Sequence, residues 1–188
     1  MAADGACPAS NFGGGLVFMD EDQSLRQVVT LLKKYEPGFL PYDLFVQLAR
    51  LTVLSIIEFV PVRIKDGKVQ ILLLDRGPKD PIWPNTLHTP GTVIRPTDTS
   101  EDFSHVFDRI ISDELQDTKA GEPVYVDNIL HQSTRGTEQA QVFWVELFEE
   151  PKIGTFYDYD NLPTHTMESQ LDFIALAATH FKRHKGNT

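Results

Sequence analysis

The stretch Gly91–Leu115, GTVIRPTDTSEDFSHVFDRIISDEL, carries the strongest pattern in the chain. It begins as a loop with turn-forming polar residues and continues as an amphipathic helix, which Thr99 or Ser100 can cap. At about 100° per residue, one arc of this helix is apolar and predicts a surface that faces a core. That arc holds Phe103, Val106, Phe107, Ile110 and Ile111.

Two adjacent acids interrupt the apolar arc at the end of the helix. Glu114 lies one turn after Ile110, inside the arc, and Asp113 lies at its edge. A carboxylate on a core-facing stripe is unfavourable unless a basic side chain or a metal ion pairs with it. The pattern therefore indicates a metal or ion-pair site, and the alternative is a solvated helix end whose acids have no role.

These acids and the residues before them resemble the second half of the Nudix box. In that family a Glu is followed, after seven residues, by Arg-Glu, an aliphatic residue, any residue and Glu-Glu. The matching positions here are Glu101, Arg109, Ile111, Asp113 and Glu114. The flanks are similar too, with Leu72, Leu73, Leu74 and Arg76 before the box and Trp83, Pro90 and Gly91 at its entry. The likeness in layout extends over about residues 51–165.

The resemblance implies an α/β fold, a Nudix-like α/β/α sandwich with a mixed sheet. It also implies hydrolysis of a nucleoside diphosphate linked to another group, with Mg²⁺ (or Mn²⁺) as cofactor. The implied metal ligands are Asp113, Glu114 and the carbonyl of Gly91. Glu114, Asp113 and Arg109 are the implied catalytic residues, and we expect Arg109 to orient an acid through a charge-assisted hydrogen bond.

Three further residues are candidates for binding a small-molecule nucleotide derivative. Arg76 ends a predicted strand and resembles a family position that can contact phosphate; a surface arginine is the alternative. Arg135 lies in a hairpin loop and could reach a ribose or phosphate, or belong to an ordinary turn. Trp83 could stack a base, although such aromatic residues more often serve packing.

Ile110 stands where the family pattern has a Glu. An aliphatic side chain can neither bind a metal nor activate water, so three outcomes are open: another acid substitutes, one metal site is lost, or catalysis is absent. The candidate substitutes are Glu101, Asp158, Asp160 and Glu168. The rival hypothesis is a catalytically impaired Nudix-like module that binds nucleotides or serves as a scaffold.

The remaining pattern predicts an N-terminal helical extension before the sheet. We expect a flexible tail over residues 1–20, helices over residues 23–35 and 42–50 within an extension of residues 21–50, and a Nudix-like domain over residues 51–188. Strands are predicted at residues 51–64, 69–75, 123–132 and 141–148, with Asp66-Gly67 as a hairpin turn and STRGTEQA as a longer connection. A loop is predicted for GTFYDYDNLPTHT and a helix for residues 167–184. Glu58 is the one charged residue of the first strand between residues 51 and 62, and either a functional acid or a solvated strand face explains it.

Charge and cysteine content narrow the class of partner. A formal charge of −10 argues against binding to nucleic acid or to an anionic membrane surface. One cysteine, Cys7, fits a reducing compartment, and the sequence shows neither a secretory leader pattern nor a long apolar run. We therefore expect a cytoplasmic protein, and the apolar faces of the first two helices suggest a homodimer.

Overall fold

A computed structural model of the protein describes residues 21–186, so the predicted tail at residues 1–20, with Cys7, lies outside the described residues. The chain divides after Glu36 into two units, which are described separately. In the first unit, helix α1 spans Glu21–Leu32 and its large apolar side chains are exposed. No helix among residues 21–186 is long and apolar enough to cross a bilayer.

The second unit is built on one mixed sheet of seven strands. The strands are β1 (Val53–Lys65), β2 (Lys68–Asp75), β3 (Leu87–His88), β4 (Gly91–Val93), β5 (Val124–Ser133), β6 (Gly136–Glu146) and β7 (Thr155–Asp158). Their order is β3-β2-β1-β6-β5, with β4 paired to β1 and β7 paired to β2. The pair β1 and β6 is parallel, and the other pairs are antiparallel.

Helices cover both faces of this sheet. Helix α2 spans Tyr42–Leu51, α3 spans Ser104–Leu115 and α4 spans Leu171–Gly186. Alternate residues of β1 belong to two separate cores, because successive side chains of a strand point to opposite faces. One core contains buried side chains of α4 and the other contains those of α3. The predicted α/β/α sandwich with a mixed sheet is confirmed.

The hairpin between β1 and β2 forms where the sequence predicts it. Asp66 and Gly67 both have positive φ, 51° and 74°, as a tight two-residue turn requires. Residue 66 tolerates this conformation because a short Asp side chain is less restricted there than most. The turn sets the register of β1 against β2, in which Lys65 pairs with Lys68 and Val62 with Ile71. Strand β2 ends at Asp75, and Arg76 follows it directly.

Several connections differ from the predicted ones. The predicted STRGTEQA loop is wrong, since only Thr134 and Arg135 separate β5 from β6 and the rest of that segment is strand. The segment predicted as loop at residues 154–166 contains β7, and the Pro-containing segment of residues 77–90, for which no strand is predicted, contains β3. These strands are two to four residues long, too short to show the alternation of polar and apolar residues that marks a strand in sequence.

Candidate functional site

Two acids from different elements meet at Gly91, the first residue of β4. The backbone N–H of Gly91 donates a hydrogen bond to Oε2 of Glu114, at 3.3 Å. Gly91 also pairs with Glu58 across the β1–β4 ladder. A Cβ at position 91 would lie 2.8 Å from the carbonyl oxygen of Ile57 and 3.2 Å from Oε2 of Glu58. Only glycine fits at this point, and its backbone is the element that brings Glu58 beside Glu114.

Glu58 is buried, with 7% of its surface exposed, which excludes the alternative of a solvated strand face. Its Oε2 accepts hydrogen bonds from Nε2 of Gln170 at 2.9 Å and from the hydroxyl of Thr89 at 3.3 Å. Burial raises the pKa of Glu58 to about 8; the hydrogen bond from Thr89 opposes the rise, and the charges of Glu138 and Glu114 add to it. At neutral pH the metal-free protein therefore holds this carboxyl mostly protonated.

The two acids predicted at the end of α3 have different environments. Glu114 is half-buried, and burial raises its pKa to about 7, while the hydrogen bond from Gly91 and the positive charge of Arg76 act in the opposite direction. Asp113 is exposed. The prediction that Asp113 binds a metal ion is not tested by these contacts and stays a prediction.

Arg109 orients an acid, but the acid is not one of the box. Its guanidinium binds Asp98 at 2.7 Å, the hydroxyl of Thr92 at 2.6 Å and the carbonyl of Val93 at 3.1 Å. Although burial works to raise it, the hydrogen bond from Arg109 keeps the pKa of Asp98 below its usual value. Arg109 thus ties the loop after β4 to α3, and a catalytic role for it stays a prediction.

Ile110 belongs to the hydrophobic core and is 1% exposed. Among the four acids named as substitutes, Asp158 bonds to Lys68 at 2.7 Å and to Gln70 at 2.8 Å, on the strand pair β2–β7. The other three, Glu101, Asp160 and Glu168, are exposed. The acid that adjoins Glu114 is Glu58, which the sequence marks only as a single charge in an apolar strand.

A pocket of about 460 Å³ lies next to the two acids and includes Gly91 in its wall. All three predicted substrate-binding residues, Arg76, Trp83 and Arg135, line it. Apolar side chains of α2 form another part of the wall, including Phe45 and Leu48. The pocket therefore combines guanidinium groups with apolar and aromatic surface, a composition that suits an anionic ligand with an aromatic part.

One donor in this pocket has no acceptor. The Nη1 atom of Arg76 binds Asp80 at 3.0 Å, but Nε of Arg76 is buried and makes no hydrogen bond with any described residue. A buried N–H without an acceptor is unfavourable by about 1–3 kcal/mol. Because Nε is inaccessible to solvent, a ligand oxygen would reach it only after a movement of the Arg76 side chain. As a charged residue of the pocket wall, Arg76 is a candidate anion-binding residue.

The carboxylates that meet at Gly91 fit a hard divalent cation whose coordination shell is completed by oxygens of a bound ligand and of water. Within residues 21–186, no three His, Cys, Asp or Glu side chains are grouped so that they could hold a metal ion. Glu58 and Glu114 nevertheless each keep Oε1 without a hydrogen bond from the described residues. Mg²⁺ often binds through one or two carboxylates together with water and phosphate oxygens. Two carboxylates with raised pKa values, next to a pocket with guanidinium groups, provide that incomplete set.

Comparisons with known proteins find similarity in structure and not in sequence. No family model and no curated protein matches the chain by sequence. The NUDIX domain of Shewanella oneidensis NrtR, solved with ADP ribose, has a TM-score of 0.54 at 13% identity, over 81% of this chain and 97% of that one. A mutT/nudix family protein from Listeria innocua has a TM-score of 0.54 at 14% identity, over 73% and 99%. An Ap4A hydrolase of C. elegans has a TM-score of 0.52 at 12% identity, over 69% and 99%. Identities of this size establish the fold alone.

Proposed function

We propose that this chain, whose fold is that of the Nudix hydrolases, hydrolyses a nucleoside diphosphate linked to another group, with Mg²⁺ or Mn²⁺ as cofactor. The observation that carries the proposal is the meeting of Glu58 and Glu114 at Gly91, beside a pocket whose wall includes Arg76 and Arg135. A buried acid pair alone can be purely structural, and so can an arginine-lined pocket. The two side by side support a cation site next to a site for phosphate oxygens.

The side chains have distinct parts in the proposed reaction. Glu114 and Glu58 would hold the cation, and each would have to release its proton for the cation to bind. The cation, when bound, withdraws negative charge from the diphosphate and makes a bound water more acidic. The guanidinium of Arg76, which lines the pocket, binds a phosphate oxygen, and apolar side chains of α2 form another part of the pocket wall. Gln170 and Thr89 orient Glu58 through its Oε2.

A second candidate function is a binding module that has lost hydrolysis. Two observations favour it: Ile110 replaces the Glu of the family pattern with a core side chain, and no described group of three acids is present. Such a module would use the same pocket and would bind the nucleotide without turnover.

Incubation with Mg²⁺ separates the two functions. ADP-ribose and diadenosine tetraphosphate, named for proteins of similar fold, form the first part of the substrate panel, and release of AMP or ATP is followed by chromatography. We expect turnover by the wild type and a loss of at least about 100-fold in kcat for Glu114→Gln, which keeps the shape and removes the charge. Binding of these compounds without any product would support the module instead.

Asp113→Asn is the matched comparison for Glu114→Gln, because it neutralises the neighbouring acid on the exposed side of the same helix end. A loss equal to that of Glu114→Gln would assign Asp113 to the cation site, as the sequence predicts. A rate like that of the wild type would restrict the site to Glu114 and Glu58. The Mg²⁺ dependence of the activity that Asp113→Asn retains shows whether Asp113 belongs to the cation site.

The assembly and location of the protein rest on the sequence alone. We propose a cytoplasmic homodimer that binds a small molecule and neither nucleic acid nor membrane. Light scattering coupled to size-exclusion chromatography tests the dimer, and a single monomer peak at micromolar concentration would refute it.

A further inference from the structure

Trp83 contacts two cationic side chains that come from different parts of the fold. The guanidinium carbon of Arg76 lies 5.0 Å from the centroid of the Trp83 ring, and that of Arg135 lies 5.2 Å from it. Both distances fall within the range in which an aromatic ring attracts a cation, with Trp the strongest of the aromatic residues. One indole therefore holds together two positive groups that would otherwise repel each other.

Each guanidinium has a carboxylate that fixes it from another side. Asp80 accepts hydrogen bonds from the backbone N–H of Ile82 at 2.9 Å and of Trp83 at 2.7 Å, and from Nη1 of Arg76 at 3.0 Å. A single carboxylate thus sets both the loop that carries Trp83 and the guanidinium of Arg76. Asp80 therefore couples the backbone at Trp83 to the guanidinium of Arg76.

Arg135 is held in a comparable way by Glu138, which is 2% exposed. Nε and Nη2 of Arg135 approach Oε1 of Glu138 at 2.8 Å and 2.7 Å. The tight turn before β6 directs Arg135 towards this partner, and it depends on Gly136, where φ is 137° and a Cβ would lie 2.8 Å from the carbonyl oxygen of Ala49. Backbone, carboxylate and ring together determine where the second guanidinium lies.

We infer that Trp83 is a positioning residue, which sets the guanidinium groups of Arg76 and Arg135 as a clamp for the two phosphoryl groups of a diphosphate. This inference rests on the proposed function for its ligand class and assigns the ring a role other than stacking the base. The ring already contacts two cations, and both of their guanidinium groups belong to residues that line the pocket. A diphosphate has two phosphoryl groups, so each guanidinium can bind the oxygens of one of them. A nucleoside has no phosphoryl oxygens.

Calorimetric titration in EDTA with inorganic pyrophosphate and with ADP tests this role. Trp83→Ala should weaken the binding of both ligands by a similar factor of about ten, equivalent to ~1.4 kcal/mol. Trp83→Phe keeps an aromatic ring and should bind both ligands within about three-fold of the wild type. Phe156→Leu is the matched control, because it removes a cation–π contact, that of Arg63 at 3.8 Å, which is not part of the pocket.

The comparison of the two ligands decides the outcome. If Trp83→Ala weakens ADP but leaves pyrophosphate within two-fold of the wild type, the ring stacks the base and the clamp is refuted. Failure of the wild-type protein to bind pyrophosphate would refute it as well. Because the titrations contain no metal ion and involve no turnover, a protein that binds but does not hydrolyse would refute the proposed reaction and leave the clamp standing.

Discussion

Glu58→Gln tests whether a neutral carboxyl group is buried beside Gly91. Burial raises the pKa of Glu58 from 4.5 to about 8, with a smaller upward contribution from neighbouring carboxylates. Between these two values the folded protein keeps a proton that the unfolded chain has released, so the free energy of unfolding falls as the pH rises. Each pKa unit corresponds to about 1.36 kcal/mol, so the loss reaches roughly 4–5 kcal/mol above pH 8.

Glutamine cannot ionise, and its side-chain oxygen can still accept the hydrogen bonds of Gln170 and Thr89. The difference in unfolding free energy between Glu58→Gln and the wild type should therefore increase with pH, by roughly 4 kcal/mol between pH 5 and pH 9. Urea unfolding followed by tryptophan fluorescence, in EDTA and at steps of one pH unit, measures it. Taking the difference removes the contribution of titrating groups that do not interact with Glu58.

Glu101→Gln, at an exposed acid ahead of α3, is the matched control for removing one negative charge from an acidic protein. A difference for Glu58→Gln that does not change with pH would refute the buried neutral carboxyl. The same result would remove Glu58 from the proposed cation site, because that site requires an acid held in a desolvated position beside Glu114.

Three further predictions concern the cation, the core and the loop after β4. Mg²⁺ should raise the melting temperature more at pH 8 than at pH 6, as measured by differential scanning fluorimetry. The reason is that the carboxyls of Glu58 and Glu114, with pKa values of about 8 and about 7, must lose their protons to bind the cation. An equal shift in melting temperature at pH 6 and pH 8 would contradict this. Ile110→Glu, which restores the family pattern, should destabilise the protein by several kcal/mol in urea unfolding, because position 110 is 1% exposed. It should not raise the turnover rate above that of the wild type; a stable and more active variant would show that the position reaches the site. Arg109→Ala should lower the unfolding free energy by about 2 kcal/mol, since it leaves the half-buried Asp98 carboxylate with the backbone N–H of Arg95 but without its guanidinium partner. Asp98→Asn in the same background should add little; additive losses would show that the two side chains act separately.

Elements with their own periodicity were predictable from sequence. The helix at α3 has an apolar arc that repeats over three turns, and the hairpin at Asp66-Gly67 uses the two residue types that accept its backbone angles. Both features depend on residues close together in the chain. Strands β3 and β4 have two and three residues, and they form only because β2 and β1 offer free ladder positions to them. The sequence of two or three residues is too short to contain a pattern that predicts such strands.

The candidate site divides in the same way. Sequence alone placed Glu114 on the inward arc of α3 and selected Arg76, Trp83 and Arg135 as residues for a ligand. It could not show that Glu58 adjoins Glu114, since the two are brought together through Gly91 by strand pairing between distant segments.

The sequence by itself determined which helices and long strands form, because hydrophobic periodicity and turn chemistry act over a few neighbouring residues. The tertiary structure decided which charges meet. Arg109 pairs with Asp98 and not with an acid of its own helix, and Glu58 is buried beside Gly91 and not solvated. These outcomes depend on the register of β4 against β1 and on the burial that this packing imposes, and burial is what changes the pKa of a carboxyl group.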